Sequence, residues 1–282
     1  MRIMTYQLSG ALLAGFLMLA GMPHLQAQNQ SSSDRLPMLD EERAEWVAER
    51  IFQNECAQQV SCLTSWNAGE DFPSLGIGHF IWYRQAQQEP FVESFPGLLA
   101  FYVAQGVDLP GWLAGLPEWD SPWPDRAAFM ADYDGERLQG LREFLYQTRA
   151  VQAQYIIRRM AQSLPGLMAA SDRPQQIENL FYQIAGADLP YGMYALIDYV
   201  NFKGEGTSID ERYQGEGWGL LQVLEFMLDH PPRVPSQPEL LERFAAAARA
   251  VLARRIDNAP PERGEERWRD GWNNRTYTYI PD

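Results

Sequence analysis

The chain has 282 residues, 37 acidic and 23 basic, for a formal net charge of −14. An acid excess of that size excludes a general nucleic-acid binder, which needs a basic face to displace phosphate counterions. Two cysteines and three histidines lie at none of the spacings that hold zinc, so no metal site and no cofactor are expected.

Arg2 precedes an apolar run from Ala11 to Ala20, and Leu25-Gln26-Ala27 follows before a polar stretch. A positive start, an apolar core too short to span a bilayer comfortably and a small residue ahead of a polar tail have the form of a cleavable secretory signal. We place cleavage after Ala27, which assigns residues 1–27 to the signal and the mature protein to the periplasm or the exterior; an uncleaved anchor is the alternative. No cysteine near the cut offers a lipid attachment, and no later run is long and apolar enough for a transmembrane helix. Cleavage leaves 255 residues with 22 basic and 37 acidic side chains, ample for one sizeable core. Cys56 and Cys62 are the only cysteines, and in an oxidising compartment the pair is expected to be bridged.

Residues 28–39 read as a polar linker, and residues 40–282 as one domain without an internal repeat. Asp40 is placed to cap a helix, with Glu41 and Glu42 at the positive end of its dipole. Ala44, Val47, Ala48, Ile51 and Phe52 recur at three- and four-residue spacing and form one apolar face. Glu55 lies four residues beyond Ile51, on the same face, so its carboxyl is expected near the core rather than in open water. Residues 66–83 are turn-rich, with Gly69, Pro73, Gly76 and Gly78 framing short runs, and a small β-hairpin is expected near residues 70–85. Trp112, Trp119 and Trp123 stand among prolines in a segment of loops and short helices; such clusters serve as core or stack on sugars. Helices are expected over 125–132, 136–163, 174–187, 191–203, 217–229 and 238–256, some of them broken. The fold class is therefore mainly α, a helical bundle with one small β element.

The residues that carry chemistry cluster between Asn54 and His79. A carboxyl at a helix end, followed by a turn-rich hairpin with polar groups, can build one wall of a sugar-cutting cleft. Desolvation disfavours the charged form of a carboxyl and lets it keep a proton for a glycosidic oxygen.

Ser74-Leu75-Gly76-Ile77-Gly78-His79 resembles the Thr-Ile-Gly-Ile/Tyr-Gly-His element of phage-type lysozymes, which follows an acidic residue at a helix end. Ala195-Leu196-Ile197-Asp198, then Val200 and Gly204-Glu205, resembles the start of that family's central helix, Ala-Leu-Ile-Asn with Val and Gly-Glu at the same offsets. Arg255, Asn258, Pro261 and Arg263, followed by Trp272, resemble its terminal Arg-Trp…Asn…Pro-Asn-Arg-Ala segment. The resemblance covers about a third of the chain in the right order, and residues 84–190 read as an expanded helical insertion outside it.

The resemblance implies a lysozyme-like α+β fold acting on peptidoglycan at the β-1,4 linkage between N-acetylmuramic acid and N-acetylglucosamine. Glu55 would be the general acid and Ser74 would take the place of the active-site Thr. Asn67, His79 and Lys203 are the candidate substrate contacts. One departure matters: six residues before Ser74, where the family has Asp or Cys, stands Ala68. Glu70 is the first candidate for the second carboxylate and Asp71 the next. Without one, the chain would fit lytic transglycosylases, in which a single Glu acts as acid and then base. A catalytically inactive peptidoglycan-binding protein is the third reading, favoured if Glu55 is tied into a closed salt bridge. The acidic charge also departs from the basic surface that many wall-degrading enzymes present to anionic walls.

Overall fold

A computed structural model describes residues 35–89, 91–209, 211–232 and 239–281. The expected signal and most of the expected linker lie outside the described residues. The polar stretch ends sooner than residue 39, because Leu36 and Leu39 are buried and Arg35 is paired with Glu178 and stacked on Tyr182.

The fold is mainly helical with small antiparallel sheets. Helix α1 (Glu41–Cys56) starts where expected: the Asp40 carboxylate accepts from Arg43 N at 2.9 Å, and Glu41 and Glu42 fill the first turn. Its buried residues include all five of the expected apolar face. Strands β1 (Thr64–Ser65), β2 (Ser74–Leu75) and β3 (Phe80–Ile81) follow as an antiparallel sheet in that order, with Ser65 opposite Ser74 and Leu75 opposite Phe80. The expected hairpin is the β2–β3 pair, and β1 adds a strand ahead of it.

Helices α2 (Phe95–Ala104), α3 (Gly111–Ala114) and α4 (Arg126–Ala131) occupy the Trp- and Pro-rich segment. Here Trp123 is in the core, and Trp112 and Trp119 pack half-buried against it: the Trp123 ring meets Phe129 at 5.1 Å, Trp82 at 5.8 Å and Trp112 at 6.0 Å. The expected 136–163 helix is two, α5 (Glu136–Gln147) and α6 (Arg149–Ala169), broken at Thr148. The Thr148 hydroxyl donates back to the Phe144 carbonyl at 2.7 Å and lies 2.6 Å from the Tyr102 hydroxyl, a local bond that competes with helix continuation.

Helices α7 (Pro174–Gly186), α8 (Tyr191–Lys203), α9 (Leu220–Asp229), α10 (Leu240–Asn258) and α11 (Arg269–Tyr277) complete the described chain, with a two-stranded hairpin of β4 (Arg212–Tyr213) and β5 (Glu216–Gly217) between α8 and α9. Helix α8 is the central one, with every residue from Gly192 to Tyr199 buried; a helix apolar on all sides belongs inside a core. At Gly192 a Cβ would sit 1.9 Å from the Ile184 carbonyl oxygen, so only glycine lets α8 approach the end of α7 this closely.

Candidate active site

Glu55 sits in the last turn of α1, just before Ala57 and Gln58, both with positive φ (47° and 59°). The chain turns sharply there, and the Cys56–Cys62 disulfide closes the turn with the Cα atoms 5.5 Å apart. The expected bridge is therefore present. A carboxylate at a helix C-terminus faces the negative end of the dipole, so Glu55 needs a cation.

Arg275 from α11 supplies it. Its Nη2 lies 2.5 Å from Glu55 Oε1. The same guanidinium grips Asp198 on α8 from two nitrogens, Nε to Oδ2 at 2.9 Å and Nη2 to Oδ1 at 2.8 Å. Asp198 is 1% exposed, and two further donors complete its shell: Asn54 Nδ2 at 2.9 Å and the Tyr279 hydroxyl at 2.7 Å. Four donors satisfy both of its oxygens, the condition for keeping a carboxylate buried. Burial works against charge on Arg275, yet Asp198 and Glu55 together raise its pKa above the ordinary value. Burial, and then the negative charge of Asp198, pushes the Tyr194 hydroxyl up to about 12 and Tyr279 well above its ordinary value. Both phenols thus remain neutral hydrogen-bond donors or acceptors.

Glu55 is 18% exposed, and its second oxygen lies 3.8 Å from His79 Nε2 on the hairpin side. His79 stands in the β2–β3 turn with φ 46°, its amide donating to the Gly76 carbonyl at 3.3 Å. The turn is pinned from below by Gln152 of α6, buried, whose side-chain oxygen accepts from Ile77 N at 2.9 Å while its amide donates to Leu145 O at 2.6 Å. Gly76 has φ +68°, and a Cβ there would meet the Gln152 oxygen at 2.3 Å; at Gly78 a Cβ would meet the Phe80 ring at 2.6 Å. The two glycines allow the close approach that carries His79 to Glu55.

The other expected site residues are placed differently. Ser74 is buried in the middle strand, its carbonyl accepting from Ser65 Oγ at 3.1 Å. Asn67 and Glu70 share the β1–β2 connection: Asn67 Nδ2 donates to Glu70 Oε2 at 3.2 Å, and the Trp66 indole donates to the Glu70 carbonyl at 2.7 Å. Among the described residues no hydrogen bond or ion pair joins Ser74, Asn67 or Glu70 to Glu55.

Lys203, at the C-terminal end of α8, folds over Trp272 at 3.3 Å and Phe202 at 4.0 Å, a cation–π arrangement. Burial, then the like charge of Arg255, pulls its pKa down to about 7. The Phe202 ring carries Arg275 on its other contact, 4.3 Å from the guanidinium carbon, so Lys203 reaches the Glu55 cluster only through an aromatic spacer.

Sequence reading missed Arg275, Tyr194 and Tyr279, and it placed Asn54 at the head of the informative block without a role. Asp198 was visible only as one letter of a helix motif. The terminal arginines singled out were Arg255 and Arg263, yet Arg255 pairs with Glu265 through two hydrogen bonds of 2.8 and 2.9 Å, and Arg263 approaches the same carboxylate at 3.8 Å. The usable signal for Arg275 was its place in Asn273-Asn274-Arg275 three residues after Trp272, but several arginines crowd that end and only packing selects one.

Among the described residues no helix is long and apolar enough to cross a membrane, and no group of acidic, His or Cys side chains is arranged to hold a metal. With the disulfide, the first of these is compatible with an exported protein. Comparisons with protein-family models, curated proteins and solved structures find no match to this chain.

Proposed function

We propose that this is an exported enzyme that cleaves the glycan strands of peptidoglycan at the muramic acid–glucosamine β-1,4 linkage, with Glu55 as general acid. The observation that carries the reading is the position of Glu55: a partly exposed carboxyl at a helix end, oriented by Arg275 and faced by the His79 turn. Two carboxylates, Glu55 and Asp198, share one guanidinium. Asp198 holds it from two nitrogens and is sealed away, which leaves Glu55, 18% exposed, as the less buried carboxylate; its own pairing with Arg275 is the feature that the inactive, wall-binding reading expects. Its Oε1 is held by Arg275 and its Oε2 lies 3.8 Å from His79 Nε2, so Oε2 is the oxygen left to exchange a proton with a substrate.

A second reading, single-carboxylate lytic transglycosylation, is favoured by one observation. Glu70 is engaged with Asn67 in the hairpin connection, and Ala68 stands where the resembled family carries its second functional group. In that reaction Glu55 would protonate the leaving oxygen and then, as carboxylate, take the proton of the sugar's own 6-hydroxyl as it closes the anhydro ring.

Mass spectrometry of muropeptides released by the purified mature protein separates the outcomes. Reducing muramic ends mean hydrolysis, anhydromuropeptides mean transglycosylation, and an undigested wall overturns the enzyme reading in favour of a wall-binding protein. Glu70→Gln refines the first two, since a paired-carboxylate hydrolase should lose turnover nearly as fully as with Glu55→Gln, and a single-carboxylate enzyme should lose little.

A further inference from the structure

Beside the His79 turn lies a cavity of about 130 Å³ between the hairpin, α6 and α8. At about 30 Å³ per water it holds some four waters or one small side chain. Phe80, Met160 and Ile197 form a buried apolar floor, while Arg159, Asn201 and Glu205 stand at its polar edge. Gly78 and Phe80 flank His79 in the chain and Ile197 precedes Asp198, so the cavity is built on the same hairpin and the same helix as the Glu55 cluster, although Glu55, His79 and Asp198 do not line it. Among the described residues the side chains of Arg159 and Glu205 have no hydrogen-bond or ion-pair partner, although both are charged and border one small space.

A neutral acetamido group would fill the volume without using either charge. An apolar pocket with a cation and an anion at its rim fits a zwitterionic group on a short carbon chain, with a carboxylate toward Arg159 and an ammonium toward Glu205. We infer that this cavity is a subsite for the peptide stem on muramic acid, taking an amino-acid residue that carries both a free carboxylate and a free ammonium. The substrate class rests on the function proposed above; the pairing of two unpartnered charges around an apolar floor does not.

The test uses the full mature chain carrying Glu55→Gln and soluble, uncross-linked strands of the diaminopimelate type, with stems intact, with stem amines acetylated, and with stems removed by an amidase. Each charge-assisted hydrogen bond lost is worth about tenfold in affinity. Calorimetry should show intact stems binding at least about tenfold tighter than acetylated or stripped strands. Glu205→Gln should abolish the difference between intact and acetylated stems, and Arg159→Gln should lower the intact-to-stripped ratio. Melting temperatures should not move, since both side chains lack protein partners. Equal binding of all three strands, or ratios untouched by both substitutions, overturns the inference. A wild-type protein that binds stems selectively yet cleaves nothing overturns the enzymatic reading and leaves the stem subsite standing.

Discussion

Arg275 Nη2 lies 2.5 Å from Glu55 Oε1, although 220 residues separate the two in the chain. The contact joins the end of the first described helix to the last one, and the same guanidinium is held from two nitrogens by Asp198 on the central helix. Glu55 is thereby oriented without being buried.

Glu55→Gln keeps the side chain's shape and removes its donatable proton. Wall digestion should fall by at least about 10²-fold, the lower end of what general acid catalysis contributes. The fold should persist, because Asp198 retains its two-nitrogen grip on Arg275. Full digestion by a variant with unchanged circular dichroism would sink the assignment.

Arg275→Met leaves Asp198 buried with no cation. Breaking a buried pair on one side costs about 3–5 kcal/mol, which urea denaturation should show as a lower midpoint at unchanged slope. Adding Asp198→Asn should recover a large part of that loss, because a neutral amide removes the uncompensated charge. A double variant less stable than the single one would contradict this account.

Lys203→Met should stabilise the protein in a pH-dependent way. The folded pKa of about 7 lies below the ordinary 10.5, so the unfolded chain binds more protons between those values and the wild type gains stability as pH rises through that window. The burden of the buried ammonium is fully present below pH 7 and gone above about pH 10.5. The methionine variant should therefore melt higher than wild type at pH 6, by about 2–4 °C for each kcal/mol relieved, and the two should converge toward pH 10.5. A difference that is constant across pH would mean that packing, not charge, sets the effect.

Removing the disulfide with Cys56→Ser and Cys62→Ser should cost only about 2 kcal/mol, because the loop it closes is short and little unfolded-state entropy is at stake. Activity should drop further than stability, since the bridge holds the turn that directly follows Glu55. Mass analysis of the unreduced exported protein should show the two-hydrogen deficit, and two free thiols would contradict the bridge.

Local signals were legible in the sequence, and each has a short-range cause. Asp40 caps α1 because its carboxylate reaches an amide three residues on. The apolar face of α1 follows from helical periodicity, and the β2–β3 turn from Gly76 and Gly78. The position of the break at Thr148 and the short α11 escaped notice. A hydroxyl that bonds back to a carbonyl four residues away, or nine residues of weak periodicity, leaves little trace in a hydropathy pattern.

The cluster around Glu55 was decided by tertiary structure. Arg255, Arg263 and Arg275 are chemically identical letters within one C-terminal stretch. Arg255 on α10 turns to Glu265 and Arg275 on α11 turns to Asp198. Asp198 marks a helix motif in the sequence, but its function as anchor depends on Asn54 arriving from α1 and on Arg275 and Tyr279 arriving from the C-terminal segment. Residue types and periodicity determined which side chains were available for chemistry. Which carboxyl stays accessible, and which is sealed beneath it, was determined by how the helices close over the central one, since burial and pairing are properties of the packed chain and not of any one segment.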